Sequence, residues 1–414
     1  VESVAGPLGE RVQVVRDLMT LLRELGVIEP AREAAPQRGI NIVVAVSGAI
    51  AASHAPILVS ALQRRGHVVE LALTETAQRF VSVETLAALL QREPHTSMWP
   101  RAAHVPVPHI ALARWADLVV VYPASATTVA RIANGDFSDL VSAIALTTRG
   151  AVMIAPSMNI DMLEAPAVQE NLDRLRENDF IIVHGVPSQE VADAPGVRPT
   201  IGGAAPPASE VAALIDALRN AGYIRRRDAW QAAYEQGLVP WASDSCDSDI
   251  AAALVEHAPP PRRLLDVGCG LGQVARHAAD AGYRVVATDI SDAALATARD
   301  TAGTRDIVWL RDDIGATALV GPFDVIVDRA TLHTLSRPRA YAWARAMRKL
   351  TARGAILIIK VHREGIANVT HGWSVAALSA LLPDFEVTAE RAADLPGITN
   401  EKPIASTLVV LRRR

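Results

Sequence analysis

Residues Leu264–Gln273 read LLDVGCGLGQ, an apolar run broken by Gly268, Gly270 and Gly272 and followed by a stretch of helical periodicity. Glycines at that spacing let the backbone turn sharply and approach a ligand, while the amides at the start of the next helix point to the same place. Asp289 closes the next apolar run, VVATD, about twenty residues on, where a carboxylate can accept both hydroxyls of a ribose. A second loop, of different composition, lies at Asn41–Ala55 (NIVVAVSGAIAASHA), where Ser47, Gly48 and Ala49 end a β-like run. Small residues there let backbone amides meet an anion, and a tight strand-to-helix turn without ligand accounts for them equally. Thr74 ends the following β-like run beside Glu75 and Thr76, where its hydroxyl either holds a ligand or caps the turn. Two nucleotide-binding loops in series suggest two consecutive reactions on one substrate.

Such loops need α/β frames to hold them. From Asn41 to about Ala221 the runs NIVVAVSG, VVELALT, LVVVYP, AVMIAPS and FIIVHG alternate with helical stretches, the pattern of a doubly wound parallel sheet. The Gly- and Pro-rich stretch at 185–209 reads as a long loop before the helix SEVAALIDALRNAG. A second alternation begins at Leu264, with strands LLDVG, RVVATD, IVWLRDD, FDVIVDR and AILIIKV, closed by an antiparallel hairpin of FEVTAE and STLVVLRR. Ahead of both, residues 9–26 space Val12, Val15, Leu18, Met19, Leu22 and Leu25 as an amphipathic helix. The expected organisation is an N-terminal helical extension at 1–38 and two doubly wound, Rossmann-like α/β domains at 39–222 and 223–414.

At 414 residues the chain exceeds one hydrophobic core, in keeping with two domains. A net charge of -4 with 21% charged residues leaves no basic footprint, so nucleic acid is not expected as a partner. Cys246 and Cys269 are the two cysteines, with no disulfide framework, which points to a reducing cytoplasm. The apolar runs are too short to span a bilayer and no secretory segment opens the chain, so membrane attachment is not expected either.

HIALARWADLVVVYPASATTVARIANGDFSDLVS at 109–142 and APSMNIDMLEAPAVQENL at 155–172 resemble the homo-oligomeric flavin-containing cysteine decarboxylases. That family includes phosphopantothenoylcysteine decarboxylase and the enzymes that oxidatively decarboxylate C-terminal cysteine in lantibiotic-type peptides. The resemblance covers roughly residues 40–215 and implies a flavodoxin-like fold, FMN, and a trimer or dodecamer. It places the FMN phosphate at Ser47, Gly48 and Ala49, a further contact at Thr74, and Ser125, Ala126 and Thr127 of PASATT in the cofactor set. His109 takes the catalytic position, with His104 a rival five residues earlier. Asn159 would orient the departing carboxylate, and Met158 and Met162 would meet substrate; a capping role also accounts for the asparagine. Thr127 replaces the usual Asn, and Leu163 the usual aromatic. Val191, in SQEVAD at 188–193, stands where coenzyme A-pathway members carry a reducing cysteine, which implies a product left oxidised as an aminoenethiol.

Residues from about Trp230 to Val410 resemble class I S-adenosylmethionine methyltransferases of the thiopurine and tellurite branch, through WQAAYEQGLVPW and FDVIVDRATLHTL. The resemblance places Gly268 and Gly270 against the methionine portion, Asp289 on the ribose and Asp312 or Asp313 on the adenine amine, Asp313 being assigned to the cofactor set. Trp241 either faces the sulfonium or fills a groove. Asp328, also assigned to the cofactor, precedes Arg329 and His333, which would line the acceptor pocket and help deprotonate a thiol; a structural Asp–Arg pair is the alternative. No metal is expected. Together the halves imply decarboxylation of a peptide's C-terminal cysteine and then S-methylation, in ribosomal peptide natural product biosynthesis. A small cysteine conjugate is the alternative substrate, and a non-catalytic scaffold or flavin prenyl transfer the alternative functions.

Overall fold

The structure is a computed structural model that describes residues 39–100, 107–185, 188–189, 200–201, 204–220, 224, 228–364, 372–396 and 403–414. The helix expected at 9–26, His104 and Val191 lie outside the described residues. The chain divides into two units, one through Arg227 and one from Asp228.

The first unit is built on β1 (Asn41–Val46), β2 (Val68–Leu73), β3 (Leu118–Ala124), β4 (Ala151–Pro156) and β5 (Ile181–Ile182). They form one parallel sheet in the order β2-β1-β3-β4-β5. Successive residues of β1 serve opposite faces, as the period of two requires. Ile42, Val44 and Val46 pack with Leu58 and Leu62 of the helix Ala55–Arg64 and with Val211 and Ile215 of the helix Ala208–Asn220. Val43 and Ala45 pack with Leu112, Val119 and Ile144 on the other face. All seven residues of β3 are buried, as expected of a strand covered by helices on both sides.

Two expectations needed adjustment. The run FIIVHG yields only two paired residues, because β5 is an edge strand with one neighbour. The stretch expected as plain loop contains a short antiparallel pair, β6 (Ser188–Gln189) with β7 (Thr200–Ile201). Its base is tightly closed, since a Cβ on Gly185 would lie 1.9 Å from the Ala204 carbonyl oxygen.

The second unit has seven strands: β8 (Arg263–Val267), β9 (Arg284–Asp289), β10 (Ile307–Arg311), β11 (Phe323–Arg329), β12 (Thr351–His362), β13 (Phe385–Leu395) and β14 (Ile404–Arg413). Their order is β10-β9-β8-β11-β12-β14-β13, parallel through β12, after which β14 enters antiparallel between β12 and β13. The hairpin expected at the end of the chain is therefore present, with its last strand innermost. Leu265 and Val267 of β8 pack with Trp343 and Met347, while Leu264 packs with Leu254, Val274 and Ile358.

Both sheets reverse direction of winding next to their first strand. Open α/β sheets bind ligands at that reversal, beyond the carboxyl ends of the strands. In the first unit this lies where β1 and β3 end, and in the second where β8 and β11 end.

Candidate active sites of the two units

In the first unit, β1 runs into Ser47, Gly48 and Ala49 and then the short helix Ile50–His54. Gly48 is dictated by its neighbour, since a Cβ there would lie 2.4 Å from Cγ2 of Thr76. Ser47 is fully buried, and its hydroxyl donates to the Pro123 carbonyl at 2.8 Å while accepting the Ser125 amide at 2.8 Å. It ties the β1 and β3 loops together from beneath, leaving the half-buried Gly48 and Ala49 as the surface a phosphate could meet. Thr74 caps its own turn, its Oγ1 accepting the Ala77 amide at 3.1 Å. Ser125 caps the helix Ala126–Ala133 by accepting the Thr128 amide, with Ala126 half-buried and Thr127 exposed at the helix start.

His109 is the second residue of the helix Pro108–Trp115, with the Trp99 ring edge-on at 5.5 Å between centroids. Its Nδ1 is enclosed and without a hydrogen-bond partner among the described residues. A buried, unpaired ring nitrogen is costly unless something completes it, which makes this atom a candidate binding position. Asn159 caps the helix Ile160–Glu164, its Oδ1 accepting the Met162 amide at 2.9 Å. The capping and ligand roles coexist, because the carboxamide NH₂ still points two hydrogens elsewhere. Met158 is half-buried and packs on the core, Met162 is half exposed, and Leu163 is core.

In the second unit each glycine of the loop is required by a side chain facing it. A Cβ on Gly268 would lie 2.0 Å from Thr331 Oγ1, on Gly270 2.7 Å from Tyr234 Oη, and on Gly272 2.5 Å from Trp309. All three also have positive φ, which side chains disfavour. Asp289 holds the loop, accepting the Gly270 amide on Oδ2 and the Ser291 amide on Oδ1, both at 2.9 Å. Burial pushes its carboxyl above the usual range. Asp266, within the loop's first strand, has an enclosed Oδ2 with no partner among the described residues, and burial pushes it up to about 7.

Four assignments change at this site. Asp313 caps the turn at Ile314 and pairs with Arg339, whereas the enclosed Oδ2 of Asp312 has no partner among the described residues. Asp328 is 1% exposed and fully engaged, accepting the Thr331 and Leu332 amides on Oδ1 and the Trp343 indole N–H at 2.8 Å on Oδ2. Both its oxygens are thereby used in bracing the turn after β11. Arg329 pairs with Asp247 at 3.0 Å, in a cluster where the buried Lys360 ammonium reaches both Asp247 and Asp249. His333 accepts the His362 backbone amide on Nδ1 at 3.3 Å, which occupies the nitrogen it would use as a base.

The roles of two further residues, Tyr234 and Gln231, escaped sequence reading. Trp241 meets Trp230 and Tyr234 edge-to-face, at 5.4 and 6.1 Å, and its indole N–H donates to Tyr234 Oη. Tyr234 thus stands against Gly270 with its phenol held protonated by burial, and Gln231 of the same helix, Ala229–Glu235, accepts the Ser291 hydroxyl and Ala293 amide. The helical spacing of Trp230 and Tyr234 was the available signal. Cys246 and Cys269 lie close by, and burial raises both thiols, Cys246 to about 12, so neither is a thiolate. That keeps the protein's own sulfur unreactive toward a methyl donor. Among the described residues no group of three or more His, Cys, Asp and Glu could hold a metal, and no helix is long and apolar enough to cross a membrane.

Comparison with known proteins agrees with this division. Residues 30–220 match the flavoprotein family and residues 264–354 the methyltransferase domain family. The coenzyme A biosynthesis bifunctional protein CoaBC of Escherichia coli (strain K12) is 42% identical over 144 residues, 35% of this chain and 36% of that protein. The chain thus matches about a third of the length of its curated relatives. The FMN-dependent cysteine decarboxylase TvaF from thioviridamide biosynthesis is 32% identical, covering 35% of this chain and 89% of its own, with a TM-score of 0.33. A SAM-dependent methyltransferase from Methanosarcina mazei is 16% identical, covering 41% of this chain and 98% of its own, at a TM-score of 0.36. The fold and sites define a two-part α/β enzyme. The chain carries a flavoprotein domain followed by a methyltransferase domain.

The residues present suit the FMN and S-adenosylmethionine expected from the sequence. The Gly48 turn and the enclosed His109 nitrogen offer an anion cradle and an unsatisfied hydrogen-bonding atom. The three-glycine loop with Asp289, Asp312 and Asp266 offers a close backbone surface and carboxylate oxygens for ribose, adenine amine and ammonium.

Proposed function

We propose that the first unit oxidatively decarboxylates a C-terminal cysteine of a peptide to an aminoenethiol, and that the second unit methylates the resulting sulfur. The observation that carries this reading is that the first unit contains no cysteine, since Cys246 and Cys269 both belong to the second. With no thiol to return electrons to the substrate, the product keeps its carbon–carbon double bond, and the reduced flavin is reoxidised by an external acceptor such as oxygen. FMN supplies the two-electron acceptor. His109 moves the thiol proton, and Asn159 offers its NH₂ to the carboxylate that leaves as carbon dioxide.

An enethiolate is a good nucleophile, and methyl transfer needs mainly proximity and alignment. Gly268 and Gly270 admit the methionine portion of the methyl donor, Asp266 faces its ammonium, Asp289 its ribose and Asp312 its adenine. The exposed Ile50, Ile57, Phe80, Phe137 and Met162 support a homo-oligomeric first unit, in which a second copy covers them. CoaBC's part in coenzyme A biosynthesis supports a second reading, in which the substrate is a small cysteine conjugate.

The test is high-resolution mass spectrometry of peptides ending in cysteine, and of N-acylcysteines, incubated with the protein and oxygen. Loss of the elements of formic acid without S-adenosylmethionine, and one added methyl with it, is the expected result for the peptide. Reaction of the conjugates alone transfers the reading to small molecules, and methylation without decarboxylation refutes it.

A further inference from the structure

β12 and β14 run antiparallel in a register that sets His362 opposite Ser406. Ser406 is fully buried, and its hydroxyl donates to the Ile404 carbonyl at 2.9 Å. A hydroxyl has one hydrogen, so while it is given to Ile404, Ser406 accepts from His362 Nδ1, 3.3 Å away. Nδ1 of His362 therefore carries a hydrogen, and in the neutral ring Nε2 carries the lone pair. No partner meets Nε2 among the described residues, and the half-buried ring stands at the carboxyl end of β12.

The rings of His333 and His362 stack at 3.8 Å between centroids, 28° from parallel. Because His333 accepts the His362 amide on Nδ1, its own hydrogen is on Nε2. The stack thus sets His362, the proton acceptor, face to face with the neutral His333 ring. Trp373 donates its amide to the His362 carbonyl at 2.8 Å, and its indole N–H is enclosed with no partner among the described residues.

We propose that His362, held in its tautomer by Ser406, is the base that removes the proton from the methyl acceptor, and that Trp373 donates to a carbonyl of the same acceptor. This rests on the reading of the second unit as a thiol methyltransferase. In the step the acceptor's S–H bond breaks, an N–H bond forms at His362 Nε2, and the electron pair stays on sulfur as a thiolate. The proton then leaves to solvent from Nε2, so no redox partner is needed. Burial pushes His362 down to about 4 when no acceptor is bound, so there the ring is neutral but a weak base. A thiolate forming beside the ring would strengthen it as a base, because opposite charge favours the imidazolium. The neighbouring cations are otherwise engaged, Lys360 with Asp247 and Asp249, and Arg363 with the Ser406 carbonyl and Thr407 hydroxyl.

The experiment uses the full chain with N-acetylcysteamine, which carries a thiol and an amide carbonyl, and compares native protein with His362→Gln, Ser406→Ala and Trp373→Phe. His362→Gln should lower kcat for methyl transfer roughly a hundredfold, as loss of a general base does. Without methyl donor, the thiolate ultraviolet band of bound acceptor should appear at higher pH than in native protein. Ser406→Ala should lose less rate and show mixed His362 tautomers in long-range ¹⁵N NMR, and Trp373→Phe should raise KM with kcat nearly kept. A His362→Gln enzyme with native kcat, or one slowed with its thiolate band unmoved, overturns the base. So does an NMR spectrum of native protein that places the His362 hydrogen on Nε2, a readout that needs no acceptor. A native enzyme that methylates no thiol refutes the thiol reading itself.

Discussion

Asp266 illustrates how a single buried carboxyl can weaken the fold as pH rises. It is 2% exposed, with one oxygen unpaired and its carboxyl raised to about 7, above the unfolded value of about 3.9. A carboxyl raised on folding contributes stability below the unfolded pKa that is lost as pH rises through the folded one. Asp266→Asn should therefore raise the melting temperature at pH 8, with the gain shrinking toward pH 5, while weakening S-adenosylmethionine binding in calorimetry. Gly272→Ala should also cost cofactor affinity, because the added methyl meets Trp309. Residues of this kind differ in how far the sequence reveals them. Gly268, Gly270, Gly272 and Asp289 were legible because loop and strand end carry their own spacing. The exchange of Asp313 for Asp312 was not, because it turns on Arg339, 26 positions away. Asp328 looked like a ligand by its place after a strand, yet the Trp343 indole across the core uses it.

Among the elements, strands were legible wherever helices cover both faces of the sheet, since β1 and β3 are nearly unbroken apolar runs. The insertion of β14 between β12 and β13 was not, because alternation fixes a strand's faces without naming its neighbour. The helix Ala229–Glu235 was read only for its aromatic residues, but Gln231 fixes its position over the ribose end of the site. Gln231→Ala should weaken S-adenosylmethionine binding by about 1 kcal/mol, near the value of a net hydrogen bond, when measured by calorimetry. The fold should survive, because Gln231 is half-buried and belongs to no core cluster.

The whole molecule carries two sites built from separate stretches of chain, and its two activities should be separable by substitution. His109→Asn should abolish loss of carbon dioxide from a cysteine peptide and leave methylation of a supplied thiol intact, as mass spectrometry of each reaction would reveal. The legible part at this scale was the succession of two α/β alternations. Lys360 sets a limit on how that succession can be cut. Its ammonium, 2% exposed, is balanced by Asp247 and Asp249, which precede the glycine loop and lie outside the stretch matching the methyltransferase domain family. A gene fragment begun at Leu264 would strip Lys360 of both carboxylates and of the helix Ser248–His257, and should unfold at lower denaturant than one begun at Asp228. The smallest stable version of this methyltransferase domain is therefore expected to start upstream of its recognisable motif.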